Sequence, residues 1–350
     1  MTLVDTLAWL VDIPSETGAE GRIATAIAER LLPHFGQGVQ RVGNSLIVGH
    51  RGGRPLISLY GHTDTVPAQG QGPAVVVDDR LVGLGSSDMK AGLAVMIHLL
   101  EDEAVRSAPL FDLVGVFYAA EEGPQSGNEL ETVFEQAAWL DESELGIIME
   151  PTDLNLELGC QGVINAQVTF RGTSAHSARP WLGESAITKA AGWLQTMGAR
   201  QPEPILVGGL EFKEVTSVTR ASSGIANNII PASFDCNVNY RFAPDKTVDQ
   251  AKAQLAEALA GADEYTITDA APAGAVAASN HHVQRLASLT GAEERPKQGW
   301  TDAARLSQRG IPAINYGPGE VAMAHKADES VPVANLEAAF EYLRQFLTEQ

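Results

Sequence analysis

Cysteine is nearly missing from this chain, with only Cys160 and Cys236 among 350 residues. A disulfide framework is thereby excluded, and a metal site built on thiolates lacks ligands. Both cysteines fall in segments that read as buried strands, where the residue serves as a small hydrophobe. Basic charge is also scarce: 24 Lys+Arg stand against 44 Asp+Glu, for a formal net charge of -20. Such a surface repels phosphate backbones and anionic membranes unless a local basic patch intervenes, and the sequence holds none. Neither nucleic acid nor membrane is expected as a partner. No apolar run reaches the ~18 residues of a membrane span. The stretch Met1–Leu10 has apolar residues at helical spacing but no basic region or small-residue cleavage site, so a soluble, cytoplasmic protein is expected. Internal repeats, low-complexity tracts and long linkers are missing too.

What is present is a large apolar content, 44% of the chain, enough to bury more than one compact domain holds and so to predict two. Up to about Met149 apolar strands alternate with helices, including Ile23–Leu32 and Met89–Leu100. This pattern predicts an α/β fold with a mostly parallel central sheet and helices on both faces. From about Gly162 the texture changes. Val163–Phe170 alternates apolar and polar, and helical stretches at Ser185–Met197 and Val248–Leu259 mix with strand candidates at Val215–Arg220, Ile229–Phe242 and Tyr265–Asp269. An inserted α+β domain with a half-exposed antiparallel sheet is expected there. The helix–strand alternation resumes after Val276, so the expected boundaries are 1–164 with 276–350 for a discontinuous first domain and 165–275 for the insert.

Five short segments carry the chemistry: Gly61-His62-Thr63-Asp64-Thr65-Val66-Pro67, Ser87-Asp88-Met89-Lys90, Glu121-Glu122-Gly123, Met149-Glu150-Pro151-Thr152 and Ala324-His325-Lys326. Each alone reads as a turn or a solvated face. Four of them, however, follow apolar runs that read as buried strands (Pro55–Tyr60, Leu110–Tyr118, Leu145–Met149 and Ile311–Tyr316), which would deliver their side chains to one sheet edge. In an open α/β sheet, ligands bind beyond the carboxyl ends of the strands. Together the segments supply imidazoles and carboxylates for a pair of divalent metals, and the chemistry that follows is metal-assisted hydrolysis. A mixed His/carboxylate set suits Zn²⁺, with Co²⁺ or Mn²⁺ able to substitute.

The spacing assigns further expectations. His62 and Asp64 lie two apart at a strand end and so face the same way, which suits an imidazole ligand whose second nitrogen is held by a carboxylate. Asp88 precedes a helix, where it can cap the N-terminus or turn both oxygens toward two cations; the two roles are compatible. Glu121 and Glu122 follow a strand in which neighbours point to opposite sides, so one can ligate while the other faces the attacking water. Two adjacent buried carboxylates without a cation would be costly. Among the other histidines, His98 lies in an apolar helix and reads as packed core, whereas His34, His50, His281 and His282 fall in loop-like or polar contexts. His176 differs, for it sits in the small-residue loop Gly172–Pro180 with Arg179, where a His and an Arg can meet an anionic substrate or a developing oxyanion.

At these residues the chain resembles the M20-type co-catalytic metallopeptidases, over nearly its whole length. The general markers are Gly61–Pro67, Asp88-Met89-Lys90, Glu121-Glu122 and Glu150-Pro151-Thr152. More specific are Gly159–Gly162, Ala175–Arg179 with Trp181-Leu182-Gly183, Gly224–Pro231, Asn239–Pro244, Gly299–Asp302 and Ala324-His325-Lys326. The resemblance implies a zinc-exopeptidase-like catalytic domain in which His62 and Glu150 hold one zinc, Glu122 and His325 hold the other, and Asp88 bridges them. Glu121 is then the general base and Asp64 orients His62. The inserted domain is implied to mediate a homodimer in which the His176 loop reaches the partner's site. Asn227, Asn228, Arg241 and Thr301 match positions near the substrate, and Arg179 suits a substrate carboxylate by its chemistry.

Within the family the specific motifs are similar to the actinobacterial-type branch that removes succinate from N-succinyl-LL-2,6-diaminopimelate. Compared with the proteobacterial branch, Gln161 stands where an arginine is expected, and the Gly317–His325 loop differs. The expected partner is a small anionic N-acyl amino acid. The alternatives are another deacylase of the scaffold, acting on N-acetylornithine or acylated amino acids, and, more remotely, a non-catalytic binding protein that would have lost metal or base residues.

Overall fold

Short apolar runs buried at nearly every residue form the centre of the first sheet. Leu56–His62 is buried throughout, while Asp112–Tyr118 and Ser143–Ile148 each leave one residue less than fully covered. A parallel sheet covered on both faces demands this near-continuous burial. The chain is described here by a computed structural model, which covers residues 1–108 and 110–349. Its contacts divide into two units: residues 1–158 with 277–295 and 306–350, and residues 159–276 with 296–305.

The first unit is built on an eight-stranded sheet in the order Val39–Val42, Ser45–Gly49, Asp112–Tyr118, Leu56–His62, Ser143–Ile148, Ala313–Asn315, Leu156–Leu158 and Glu294–Pro296. The four central strands are parallel, and antiparallel pairs flank them. The register sets His62 opposite Tyr118 and Tyr60 opposite Ile148. The chain therefore leaves three neighbouring strands at one edge just before Asp64, Glu121 and Glu150. Helix Lys90–Glu101, buried at ten of its twelve positions, packs on the Leu56–His62 and Asp112–Tyr118 strands. It comes so close that a Cβ at Gly92 would collide with the Met149 carbonyl. A three-stranded sheet of Val75–Val77, Arg80–Val82 and Ser330–Pro332 ties the segment beyond His325 to the chain ahead of Asp88.

The second unit holds a five-stranded antiparallel sheet in the order Glu203–Val207, Leu210–Ser223, Ser233–Phe242, Gly162–Arg171 and Glu264–Ala271. Burial alternates residue by residue along Ser233–Phe242, and the covered face packs against helices Ala186–Gly198 and Val248–Ala258 through Phe170, Ala190, Met197, Val238 and Leu255. The run Ile229–Phe242, expected as one strand, is two. Ile229–Ile230 pairs with Ala175–His176 in a separate sheet, and Ser233 starts the long strand after Pro231, which has no N–H to give a ladder. At the base of this unit Cys160 and Gly274 exchange backbone hydrogen bonds of 3.2 and 3.0 Å. Both cysteines are free and buried. Among the described residues no helix is long and apolar enough to cross a membrane.

Candidate metal centre

The strand ends bring His62, Asp88, Glu121, Glu122, Glu150 and His325 together. Donor atoms of His62, Asp88 and Glu150 lie within 4.8 Å of one another, and so do those of Asp88, Glu122 and His325 and those of His62, Glu121 and Glu122. Asp88 belongs to two of these groups and gives each a different oxygen. Its Oδ1 is 3.1 Å from His62 Nε2 and its Oδ2 is 3.4 Å from His325 Nε2. His62 Nε2 is also 3.9 Å from Glu150 Oε1, and His325 Nε2 is 2.8 Å from Glu122 Oε1. Each imidazole thus faces one carboxylate of its own and one that it shares.

The electrostatics follow from that sharing. Burial opposes a charge on His62, but hydrogen bonds to Asp64 and Asp88 win and raise its pKa well above the imidazole range. Hydrogen bonds to Asp88 and Glu122 raise His325 to about 10. Burial likewise works against charge on Asp88, yet His325 and His62 hold its carboxyl far below the usual range. A carboxylate set this dense calls for positive charge among its members, which protonated imidazoles or bound cations would supply. The donor set fits divalent cations in the same positions, with nitrogen and oxygen donors mixed and one carboxylate common to both groups.

Asp64 faces His62 and also organises the backbone beyond Tyr118. His62 Nδ1 lies 3.0 Å from the Asp64 main-chain carbonyl and 3.5 Å from its carboxylate. The carboxylate also accepts the amides of Glu121 (3.1 Å) and Glu122 (3.0 Å) and the Thr17 hydroxyl (2.9 Å). Two expectations change. Asp88 does not cap the following helix, whose first residue is Lys90 and whose N-cap is Met89 without a side-chain bond. Glu121 and Glu122 do not point to opposite sides, since both reach the His62 group. The strand has ended at Tyr118 and Ala120 is left-handed (φ 62°), so alternation no longer applies.

The remaining residues named from the sequence lie in the second unit and form more than one group. His176 is exposed and pairs across the short sheet with Ile229; its Nδ1 accepts the Ala178 amide at 3.1 Å. Ser177 N donates to Asn228 O at 2.9 Å and Arg179 N to His176 O at 2.8 Å, which gathers His176, Arg179, Asn227 and Asn228 on one exposed corner. Arg241 sits near the far end of the Ser233–Phe242 strand, its Nε 3.0 Å from Asn239 Oδ1. Thr301 is buried, and its hydroxyl meets no hydrogen-bond partner among the described residues.

A further group, Glu144 with His281 and His282, has the contacts of a brace. His282 is buried and structural. Its Nε2 meets Glu144 at 2.9 Å and its ring meets Phe111 edge-on, while Asn280 caps the helix and donates to Glu144 O at 3.0 Å. Glu329 escaped the sequence reading. It is 1% exposed and accepts three backbone amides around Asp88, and its sequence signal is only one member of the acidic pair Asp328-Glu329 between His325 and the Ser330–Pro332 strand.

A sheet edge lined by imidazoles and carboxylates around one shared aspartate defines a metallohydrolase, and comparison places it. Residues 58–349 match Peptidase family M20/M25/M40, and the chain belongs to that family, whose members are metallopeptidases with a dinuclear metal site. It is accordingly an amide hydrolase. The chain is 37% identical over 348 residues to a protein of Mycobacterium tuberculosis named putative succinyl-diaminopimelate desuccinylase, covering 98% of this chain and 97% of that one. It is 36% identical over 351 residues to the succinyl-diaminopimelate desuccinylase of Corynebacterium glutamicum, covering 97% and 94%. The M20 family metallo-carboxypeptidase of Sulfolobus solfataricus shares the fold, with a TM-score of 0.79 over 99% of both chains at 15% identity.

Proposed function

We propose that the amide this hydrolase cleaves joins succinate to an amine of N-succinyl-LL-2,6-diaminopimelate, releasing succinate and LL-2,6-diaminopimelate for lysine and diaminopimelate biosynthesis. Two relatives aligned over nearly their full lengths carry that activity in their names. The observation that carries the chemistry is Asp88, which turns Oδ1 to His62 and Oδ2 to His325. In this reading His62 and Glu150 would hold one Zn²⁺, Glu122 and His325 would hold a second, and Asp88 would contribute to both. When bound, such a pair acidifies water and polarises a carbonyl. Glu121 takes a proton from the attacking water and returns it to the leaving amine nitrogen. Asp64 fixes the Glu121 and Glu122 backbone so that base and ligand stay in register.

Arg179 and Arg241 are the cations suited to substrate carboxylates, and His176 to the oxyanion. Distance within the second unit supports a homodimer. Ser233 to Arg241 spans about 26 Å at ~3.3 Å per residue, so the His176 corner at one end of that strand and Arg241 at the other cannot meet one small substrate from the same chain. In the dimer we propose, His176, with Asn227 and Asn228, serves the partner's site. The test is a hydrolysis panel of N-succinyl-LL-2,6-diaminopimelate, N-acetylornithine and N-acetyl amino acids. The succinyl substrate should give the highest kcat/KM, and an acetyl substrate preferred over it would overturn the assignment.

A further inference from the structure

Glu329 lies four residues beyond His325 and spends its whole carboxylate on one loop. Its Oε2 accepts the Gly85 amide at 2.8 Å, and its Oε1 accepts the amides of Ser87 and Asp88 at 2.9 Å each. Its own carbonyl accepts the Gly83 amide at 3.0 Å. Burying a carboxylate among neutral amides is costly unless each oxygen is satisfied, and here the satisfied oxygens fix the backbone from Gly85 to the shared aspartate itself.

The same C-terminal segment grips that loop elsewhere. Ser87 Oγ donates to Glu320 O at 2.9 Å and accepts Glu320 N at 2.7 Å, and a Cβ at Gly319 would collide with Ser87 O. The Ser330–Pro332 strand pairs with Arg80–Val82 just upstream. One stretch of chain therefore carries His325 and also holds the backbone that aims Asp88.

We propose that Glu329 is a positioning residue for the metal pair: by fixing the loop it sets where Asp88 Oδ1 and Oδ2 point, so both half-sites depend on a residue that touches neither cation. The inference rests on the metal reading of Asp88. Loss of an outer partner of this kind weakens metal binding by about 10–100-fold. In Glu329→Gln one oxygen becomes an NH₂ group facing amide donors, and the loop must shift. Glu329→Asp keeps the charge but shortens the reach, and it serves if the first variant does not fold.

The experiment is a Co²⁺ titration of the metal-stripped full chain, read by the visible absorption of the bound ion against a competing chelator, with melting of the metal-free protein alongside. The wild-type chain should take up two equivalents. Glu329→Gln should weaken both by ~10–100-fold, whereas Glu122→Gln should weaken one. Unchanged cobalt affinities in a folded Glu329 variant, with only the metal-free melting temperature lowered, would reduce Glu329 to a brace and overturn the proposal. Weakening at a single site would overturn it as well. A wild-type chain that takes up no cobalt would overturn the metal reading itself.

Discussion

Exchanging Asp64 for asparagine separates the placing of the base from the holding of the ligand. Asp64 is fully buried, with Oδ1 on the Glu121 amide and Oδ2 on the Glu122 amide and the Thr17 hydroxyl. In the amide one oxygen becomes a donor. Placed at the Oδ1 side, it opposes the Glu121 amide and also faces His62 Nδ1, 3.5 Å from Oδ1. The orphaned Glu121 N–H costs about 1–3 kcal/mol, and loss of the negative charge weakens the remaining two bonds by about 1 kcal/mol more. Relief comes by moving the Glu121 backbone away, and a misplacement on the order of 1 Å costs about 10²-fold in rate. His62, however, keeps Nδ1 on the Asp64 main-chain carbonyl at 3.0 Å, which the substitution does not touch. Metal affinity should therefore fall by less than about tenfold, below the usual loss for removing an outer partner. Steady-state hydrolysis of the succinyl substrate, zinc per chain and the urea midpoint measure the three effects. Zinc lost as readily as activity would refute the reasoning, because the carboxylate and not the carbonyl would then be holding the ring. A normal kcat with lowered stability would refute it from the other side.

The remaining expectations are more direct. Glu121→Gln should lose at least ~10²-fold in rate, the lower range for a general base, with metal content unchanged, while Glu122→Gln should lose metal; wild-type metal and rate in both would reverse the assignment. Chelation should abolish turnover and zinc should restore it, and full turnover by verified metal-free protein would end the mechanism. Mixing His176→Ala with Glu121→Gln chains under subunit exchange should regenerate activity, since each mixed dimer then has one intact site; an inactive mixture shown to contain heterodimers would refute the trans arrangement. Asp112 is buried and accepts the Gly52, Gly53 and Arg54 amides and both neighbouring guanidiniums. Burial works to raise its pKa, but these bonds hold it below the usual carboxylate range. Its folded pKa being the lower one, its contribution is complete above about pH 4 and is lost as pH falls through the folded value. Asp112→Asn should cost about 2 kcal/mol at neutral pH and flatten the acid limb of a urea-midpoint profile; parallel profiles for the two proteins would contradict this.

The strands that deliver the cluster could be read because their burial is nearly continuous. Leu56–His62 is buried throughout and Ser143–Ile148 at all but Glu144, and the apolar residues that dominate both made legible where His62 and Glu150 leave the sheet edge. What lay beyond the strand ends was not. Period-two reasoning placed Glu121 and Glu122 back to back, but a left-handed Ala120 redirects both. Asp64 accepts two main-chain amides, Glu121 and Glu122, which no side-chain pattern records. Glu329 acts only through amides of a loop more than two hundred residues away in sequence, and contacts of that separation leave no local signature. Pro231 alone, had its missing donor been weighed, would have divided the Ile229–Phe242 run.

The paired hydrogen bonds between Cys160 and Gly274 close residues 160–274, within the longer of the second unit's two pieces, into a cassette. Its ends lie side by side, and the entropic penalty of such a loop grows only logarithmically, by about 0.6 kcal/mol for each doubling of length. A scaffold opened at such a point tolerates cassettes of very different size at nearly constant cost. The sheet edge that aims His62, Asp88 and Glu150 can therefore stay fixed while the cassette, which carries His176, Arg179 and Arg241, changes in length.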